Sequence, residues 1–184
     1  MASTFSFSHL LAFICLVRAL CHPASAEPLK PAEALKSFQL ADDRLTIELA
    51  ASEPQIEDPV AMAFDAAGRL YVVEMRGFQQ GPDARGLPGL SRVTRLEDRD
   101  GDGRYEHGTV FADNLTYATA VTPAYDGILV GCAPDILFFK DTNGDGRADV
   151  RKVVYTGFGT GNHEQLINSF QWVIDNWIHA ASGG

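Results

Sequence analysis

The chain has 184 residues, 46% of them hydrophobic and 21% charged, which is an ordinary globular balance rather than the composition of a disordered chain. A formal net charge of −9 excludes nucleic acid as a partner, because neutralising phosphates takes clustered Lys and Arg that this sequence lacks. No CxxC or CxxCH spacing occurs, so no haem attachment site is encoded in this chain.

Residues 1–26 read as a secretory signal. Leu10 to Val17 is an apolar run too short to span a bilayer, and Ala24-Ser25-Ala26 is the small-x-small pattern that signal peptidase cleaves. The competing reading is a buried N-terminal helix; lipidation of Cys21 is disfavoured by the bulky Leu20 before it. The expectation is export to the periplasm or cell envelope, with membrane association only through regions or partners outside this chain. Cleavage after Ala26 leaves Cys132 as the sole cysteine, within Leu129-Val130-Gly131-Cys132-Ala133, where it reads as a small buried apolar residue. Residues 27–44 form a lead-in with Pro28, Pro31 and a short helical stretch around Ala32 to Phe38, expected to pack on the main body.

From residue 45 the pattern turns to short β-like runs. Leu45-Thr46-Ile47-Glu48-Leu49 alternates with period two, and Ala61 to Phe64, a turn closing on Gly68, and Leu70 to Glu74 make a hairpin. Gln79 to Leu90 is a Gly- and Pro-rich loop. An internal repeat then appears. Asp98-Arg99-Asp100-Gly101-Asp102-Gly103-Arg104-Tyr105-Glu106 recurs 43 residues later as Asp141-Thr142-Asn143-Gly144-Asp145-Gly146-Arg147-Ala148-Asp149. The flanks match too: Val93-Thr94-Arg95-Leu96 maps onto Ile136-Leu137-Phe138-Phe139, and Thr109-Val110-Phe111 onto Lys152-Val153-Val154. A third strand-turn-strand opening runs from Ser169 through Asp175-Asn176 to His179. A period of this length built of short strands predicts an all-β fold, an incomplete β-propeller. It comprises about two blades (near 58–115 and 116–160) and the start of a third (161–184), preceded by a short signal helix. A closed propeller needs at least four blades, so the chain is expected to be the N-terminal piece of a longer one.

Each acidic repeat offers oxygen donors at positions 1, 3 and 5, with Gly at position 6 for the sharp turn. In the first copy these are Asp98, Asp100 and Asp102, with the Arg104 carbonyl and Glu106 completing the set; in the second, Asp141, Asn143, Asp145, the Arg147 carbonyl and Asp149. Position 12 is Thr109 or Lys152 and strands flank both loops, so neither is an EF-hand. A plain hairpin turn needs one Asp and one Gly, not four oxygen-bearing side chains at ligand spacing twice over. Crowded carboxylates repel unless a cation neutralises them, and an all-oxygen flexible shell suits Ca²⁺ over Mg²⁺. The loops resemble the calcium loops between strands of integrin-type propeller blades, and the expected role of the ion is structural.

The run Asp58 to Asp65, then Gly68 to Arg76, resembles the opening blade of the membrane-bound dehydrogenase family abundant in planctomycetes. Ala133-Pro134-Asp135-Ile136-Leu137, Thr156 to Thr160, and Leu166 to Phe170 with Trp172, Asp175-Asn176 and Ile178-His179 extend the resemblance over residues 33–184. It implies a propeller similar to quinoprotein sugar dehydrogenases, oxidising sugars or alcohols in the full-length protein with pyrroloquinoline quinone (PQQ) as cofactor, and haem c only in a C-terminal region outside this chain. The chain departs from the pattern at Val173-Ile174 and Trp177, and by itself is expected to be inactive. Glu74 and Arg76 close a strand and are candidates to face the channel, Arg76 pairing an anionic cofactor; Asn168 is a candidate for a structural or ligand hydrogen bond, and His163 for a general base. The alternatives are a calcium-stabilised propeller that binds a glycan or protein without chemistry, and a truncated remnant that does not fold stably.

Overall fold

The computed structural model describes residues 27–76 and 89–183, without the side chain of His163. The expected signal peptide and most of the Gln79–Leu90 loop lie outside the described residues. The chain divides into two units. In the first, Met1–Gln39, the described element is helix α1 (Pro31–Ser37). Proline in its first turn lacks only an N–H that would be unbonded there anyway, and Glu33 and Lys36 suit the helix dipole at the two ends.

The described part of the second unit, Leu40–Gly184, is strand and turn apart from one short 3₁₀ segment. One sheet runs β1 (Pro59–Phe64), β2 (Leu70–Glu74), β3 (Ser91–Glu97) and β4 (His107–Leu115) in sequence order, antiparallel throughout. The second sheet repeats that order with β5 (Ala118–Ala124), β6 (Gly127–Cys132), β7 (Asp135–Lys140) and β8 (Val150–Thr156). The third is a hairpin of β9 (Asn168–Trp172) and β10 (Ile178–Ala181). The first strands of successive sheets are neighbours, β1 against β5 and β5 against β9, so the sheets radiate from their inner strands. The fold is an incomplete β-propeller of two four-stranded blades and the opening hairpin of a third.

Packing follows from this radial stacking. A middle strand covered on both faces reads as a continuous apolar run: all five residues of β2 are buried, Tyr71 and Val73 toward the second blade and Leu70 and Val72 under Ala51 and Ile56. Tyr71, Val73, Val93 and Phe111 of the first blade interlock with Val121, Ile128, Val130 and Leu137 of the second, and Tyr71 meets Phe111 edge-on at 5.1 Å between centroids. A second cluster joins Leu129 and Ile136 to Leu166 and Ile167, seating the third hairpin. Strand β8 is exposed along nearly its whole length, and Arg151 and Lys152 on it oppose edge-to-edge pairing. Beside it, Phe138, Val154, Tyr155, Trp172 and Trp177 line an open groove.

Turn chemistry sets the hairpins. Tyr125 and Asp126 both adopt positive φ (54° and 60°), giving the two-residue turn whose twist matches the strands it joins. A Cβ on the following Gly127 would collide with the Phe139 backbone carbonyl, so only glycine lets β6 and β7 close there. At the third hairpin, the Asp175 carboxylate accepts the Trp177 N–H at 3.0 Å and Asn176 takes positive φ, as Asp-Asn predicts. Leu45–Leu49 departs from expectation. Its alternation predicts a strand, yet it forms none and pairs with none of the described strands. Alternation records a two-sided environment; pairing needs a neighbour.

Trp172 ties the third hairpin to the inner strand of the second blade by donating Nε1–H to the Pro123 carbonyl at 3.0 Å. Trp172→Phe keeps the aromatic area and loses this bond. A loss of about 0.5–1.5 kcal/mol in urea unfolding is the expected result.

Strand register assigns the loops to two ends. Glu74 pairs with Pro59 on one side and Arg92 on the other, putting the β2–β3 connection at one end of the first blade. Leu70 pairs with Phe64 and Leu96, and Glu97 with His107, which puts the first acidic loop at the opposite end. Lys140 pairs with Val150, so the second acidic loop takes the equivalent place in the second blade.

Candidate metal centre

Both acidic loops wind by the same rule: the side chain at each of loop positions 1, 3 and 5 accepts backbone N–H groups ahead of it. Asp98 takes Gly101 N–H at 2.7 Å on one oxygen and Gly103 N–H at 2.9 Å on the other; Asp100 accepts from Asp102 and Asp102 from Arg104. The second loop repeats this bond for bond, Asp141 taking Gly144 and Gly146, Asn143 taking Asp145, and Asp145 taking Arg147. The glycines at positions 4 and 6 hold φ between 79° and 89° in both copies, a conformation that side chains rarely adopt.

The two loops differ in what converges. Among the described residues, one group of carboxylates gathers closely enough to hold a metal: Asp98, Asp100, Asp102 and Glu106, each with an oxygen within 4.8 Å of the others. The donors are hard oxygens, and a carboxylate oxygen already accepting one N–H keeps a lone pair for a cation. The set fits Ca²⁺. In the second loop Asp149 turns to Thr142, accepting its N–H at 3.1 Å and its hydroxyl at 2.6 Å, and the Asn143 amide donates to Asp145.

Neighbouring segments differ as well. Over the first loop, Tyr105 donates its N–H to the Ala50 carbonyl at 2.8 Å, and the Glu48 carboxylate stands 3.5 Å from where a Cβ on Gly103 would sit. The second loop leans on the first blade: Ala148 donates to the Phe111 carbonyl at 2.8 Å, and Arg95 of β3 reaches Asp141 at 3.5 Å. The Gly103 N–H leads in holding the Asp98 carboxyl below its usual range, burial opposing it and the Gly101 N–H assisting. For Asp141 burial pushes upward, but the Gly146 and Gly144 N–H groups and the Arg95 charge outweigh it, and its carboxyl too is lowered.

The candidate cofactor residues lie at the other end. Glu74 is fully buried, with Arg92 forming a two-pronged ion pair to its carboxylate, Thr94 donating at 2.7 Å and the Glu57 N–H at 2.6 Å. Arg76 pairs with Glu57 at 2.5 Å and approaches Glu74 at 3.8 Å, while its own buried Nε has no hydrogen-bond partner among the described residues. Met75 shares a core cluster with Leu166 and Ile167, so Glu74–Arg76 and the segment before Asn168 converge. Asn168 is committed locally, donating to the Leu166 carbonyl at 2.9 Å and accepting from Ser169 at 2.8 Å. His163 opens a short 3₁₀ turn (His163–Gln165) capped by Asn162; its side chain lies outside the described residues.

Sequence reasoning left out Arg92 and Glu57, the partners that occupy Glu74. Their signal was the charged pair Arg92 and Arg95 set in an otherwise buried strand. Cys132 is buried and its thiol pushed up to about 12 by desolvation, leaving it protonated and unreactive, as expected. No described helix is long and apolar enough to cross a membrane.

No curated protein and no solved structure matches the chain. A family model does, over residues 30–184, and its description is a domain of unknown function (DUF7133).

Proposed function

The chain belongs to this DUF7133 family, whose description leaves the role open, and we propose that it is a calcium-binding β-propeller segment in which the ion braces the turn between β3 and β4. The observation that carries this is the convergence of Asp98, Asp100, Asp102 and Glu106 within 4.8 Å on a turn whose backbone already aims the first three inward. Four carboxylates so close repel one another, and a divalent ion turns that repulsion into a cross-link. The role is structural, because the cluster sits at a hairpin tip, where an ion cross-links the turn between β3 and β4.

Trypsin tests it directly, since Arg99 and Arg104 both lie in the loop and are exposed. Calcium is expected to suppress cleavage after both residues, with EDTA restoring it. Cleavage that ignores calcium contradicts the proposal.

Oxidation of sugars or alcohols with PQQ is a separate proposal, and the candidate residues do not by themselves make a seat for it. PQQ is a polycarboxylate and wants uncompensated cations. Here Arg92 is taken by Glu74 and Arg76 by Glu57, two cations against two anions. No reaction step is therefore assigned to this chain. Export likewise remains a proposal, resting on the composition of residues 1–26.

A further inference from the structure

We infer that Arg95 is the resident cation of the second acidic loop, so that the chain takes one divalent ion, at the first loop, and none at the second. The inference rests on the calcium reading of the first loop and adds which of two near-identical loops is the site. The backbone hydrogen bonds are the same in both loops. What differs is the side chains at two loop positions and, beyond the loops, the charge that the adjoining segment presents.

Against Gly103 in the first loop the nearest group is an anion, the Glu48 carboxylate, which adds to the demand for a cation. Against Gly146 in the second it is a cation: Arg95 Nη2 lies 2.7 Å from where a Cβ would be, so the guanidinium occupies the space a side chain would fill. Arg95 is not a passing surface residue. It stands on the third strand of the first blade, 9% exposed, held by Glu97 at 2.8 Å and directed at Asp141 at 3.5 Å. In the repeat its counterpart is Phe138, so this position carries a charge in the first blade, where it faces the second loop, and none in the second. A divalent ion on Asp141 would sit beside this fixed charge in a low-dielectric setting and be repelled. Asp149 and Asn143 agree with that assignment, the first turned to Thr142 and the second contributing no charge. The result is a clasp between the two blades that needs no metal.

Calcium titration calorimetry on the full chain separates the possibilities, using wild type, Asp102→Asn, Asp145→Asn and Arg95→Gln. Asparagine at 102 or 145 keeps an oxygen for the Arg104 or Arg147 N–H, so each loop retains its turn. The expected result is one ion per chain in wild type, affinity at least tenfold weaker in Asp102→Asn, no change in Asp145→Asn, and a second site in Arg95→Gln. Two ions in wild type, or a single site persisting in Arg95→Gln, overturns the inference and leaves the first-loop reading standing. Loss of binding in Asp145→Asn, or no binding in wild type, overturns that reading itself.

Discussion

Glu74→Ala is expected to cost about 3–5 kcal/mol of stability, because it removes a buried carboxylate on which several donors converge and leaves them without an acceptor. Glu74 is 0% exposed and holds the Arg92 guanidinium, the Thr94 hydroxyl and the Glu57 N–H at once. Removing it leaves the partly exposed Arg92 guanidinium and the buried Thr94 hydroxyl without their acceptor. Denaturant unfolding measures this, and a loss under about 1 kcal/mol would mean the network is not what closes this end of the blade.

The same group confers a pH dependence whose sign follows from its environment. Burial alone would raise the Glu74 carboxyl, but the hydrogen bonds from Arg92, Thr94 and the Glu57 N–H overcome it and hold it below the ordinary value of 4.5. A carboxyl lowered in the folded state stabilises fully above its unfolded pKa, and that contribution fades as pH falls through the depressed folded value. Wild type is therefore expected to lose stability below about pH 4.5 in a way that Glu74→Gln does not share.

Calcium is expected to raise the melting temperature by roughly 5–10 °C when present at a hundredfold over its dissociation constant. Binding to the folded state alone contributes about 2.7 kcal/mol at that ratio, and for a chain of this size each kcal/mol moves the midpoint by about 2–4 °C. Asp98→Asn should abolish the shift, because Asp98 both opens the loop and receives two of its N–H groups. An equal shift in wild type and variant would place the ion elsewhere.

Much of this architecture could be read from residues alone, and the reason is local. The 43-residue repeat, the Asp-Asn turn at 175–176 and the glycines of the acidic loops encode their conformation within a few residues, so strand order and loop identity follow. The same locality limits the rest. Glu74 closes a strand and reads as a candidate to face the channel, while its pairing with Arg92 spans an intervening loop. Leu45–Leu49 alternates like a strand and has no partner. The two acidic loops share one pattern, and besides Asn143 and Asp149 within the second, it is Glu48 and Arg95, each distant in sequence from the loop it faces, that set them apart. Periodicity reports what a segment does to itself; charge across a blade interface depends on register between blades, which no local pattern carries.

Crystals grown with calcium and measured for anomalous scattering test the metal site most directly. A peak within about 2.3–2.6 Å of oxygens from Asp98, Asp100 and Asp102 is the expected result. A map with no peak between β3 and β4 at saturating calcium would contradict it.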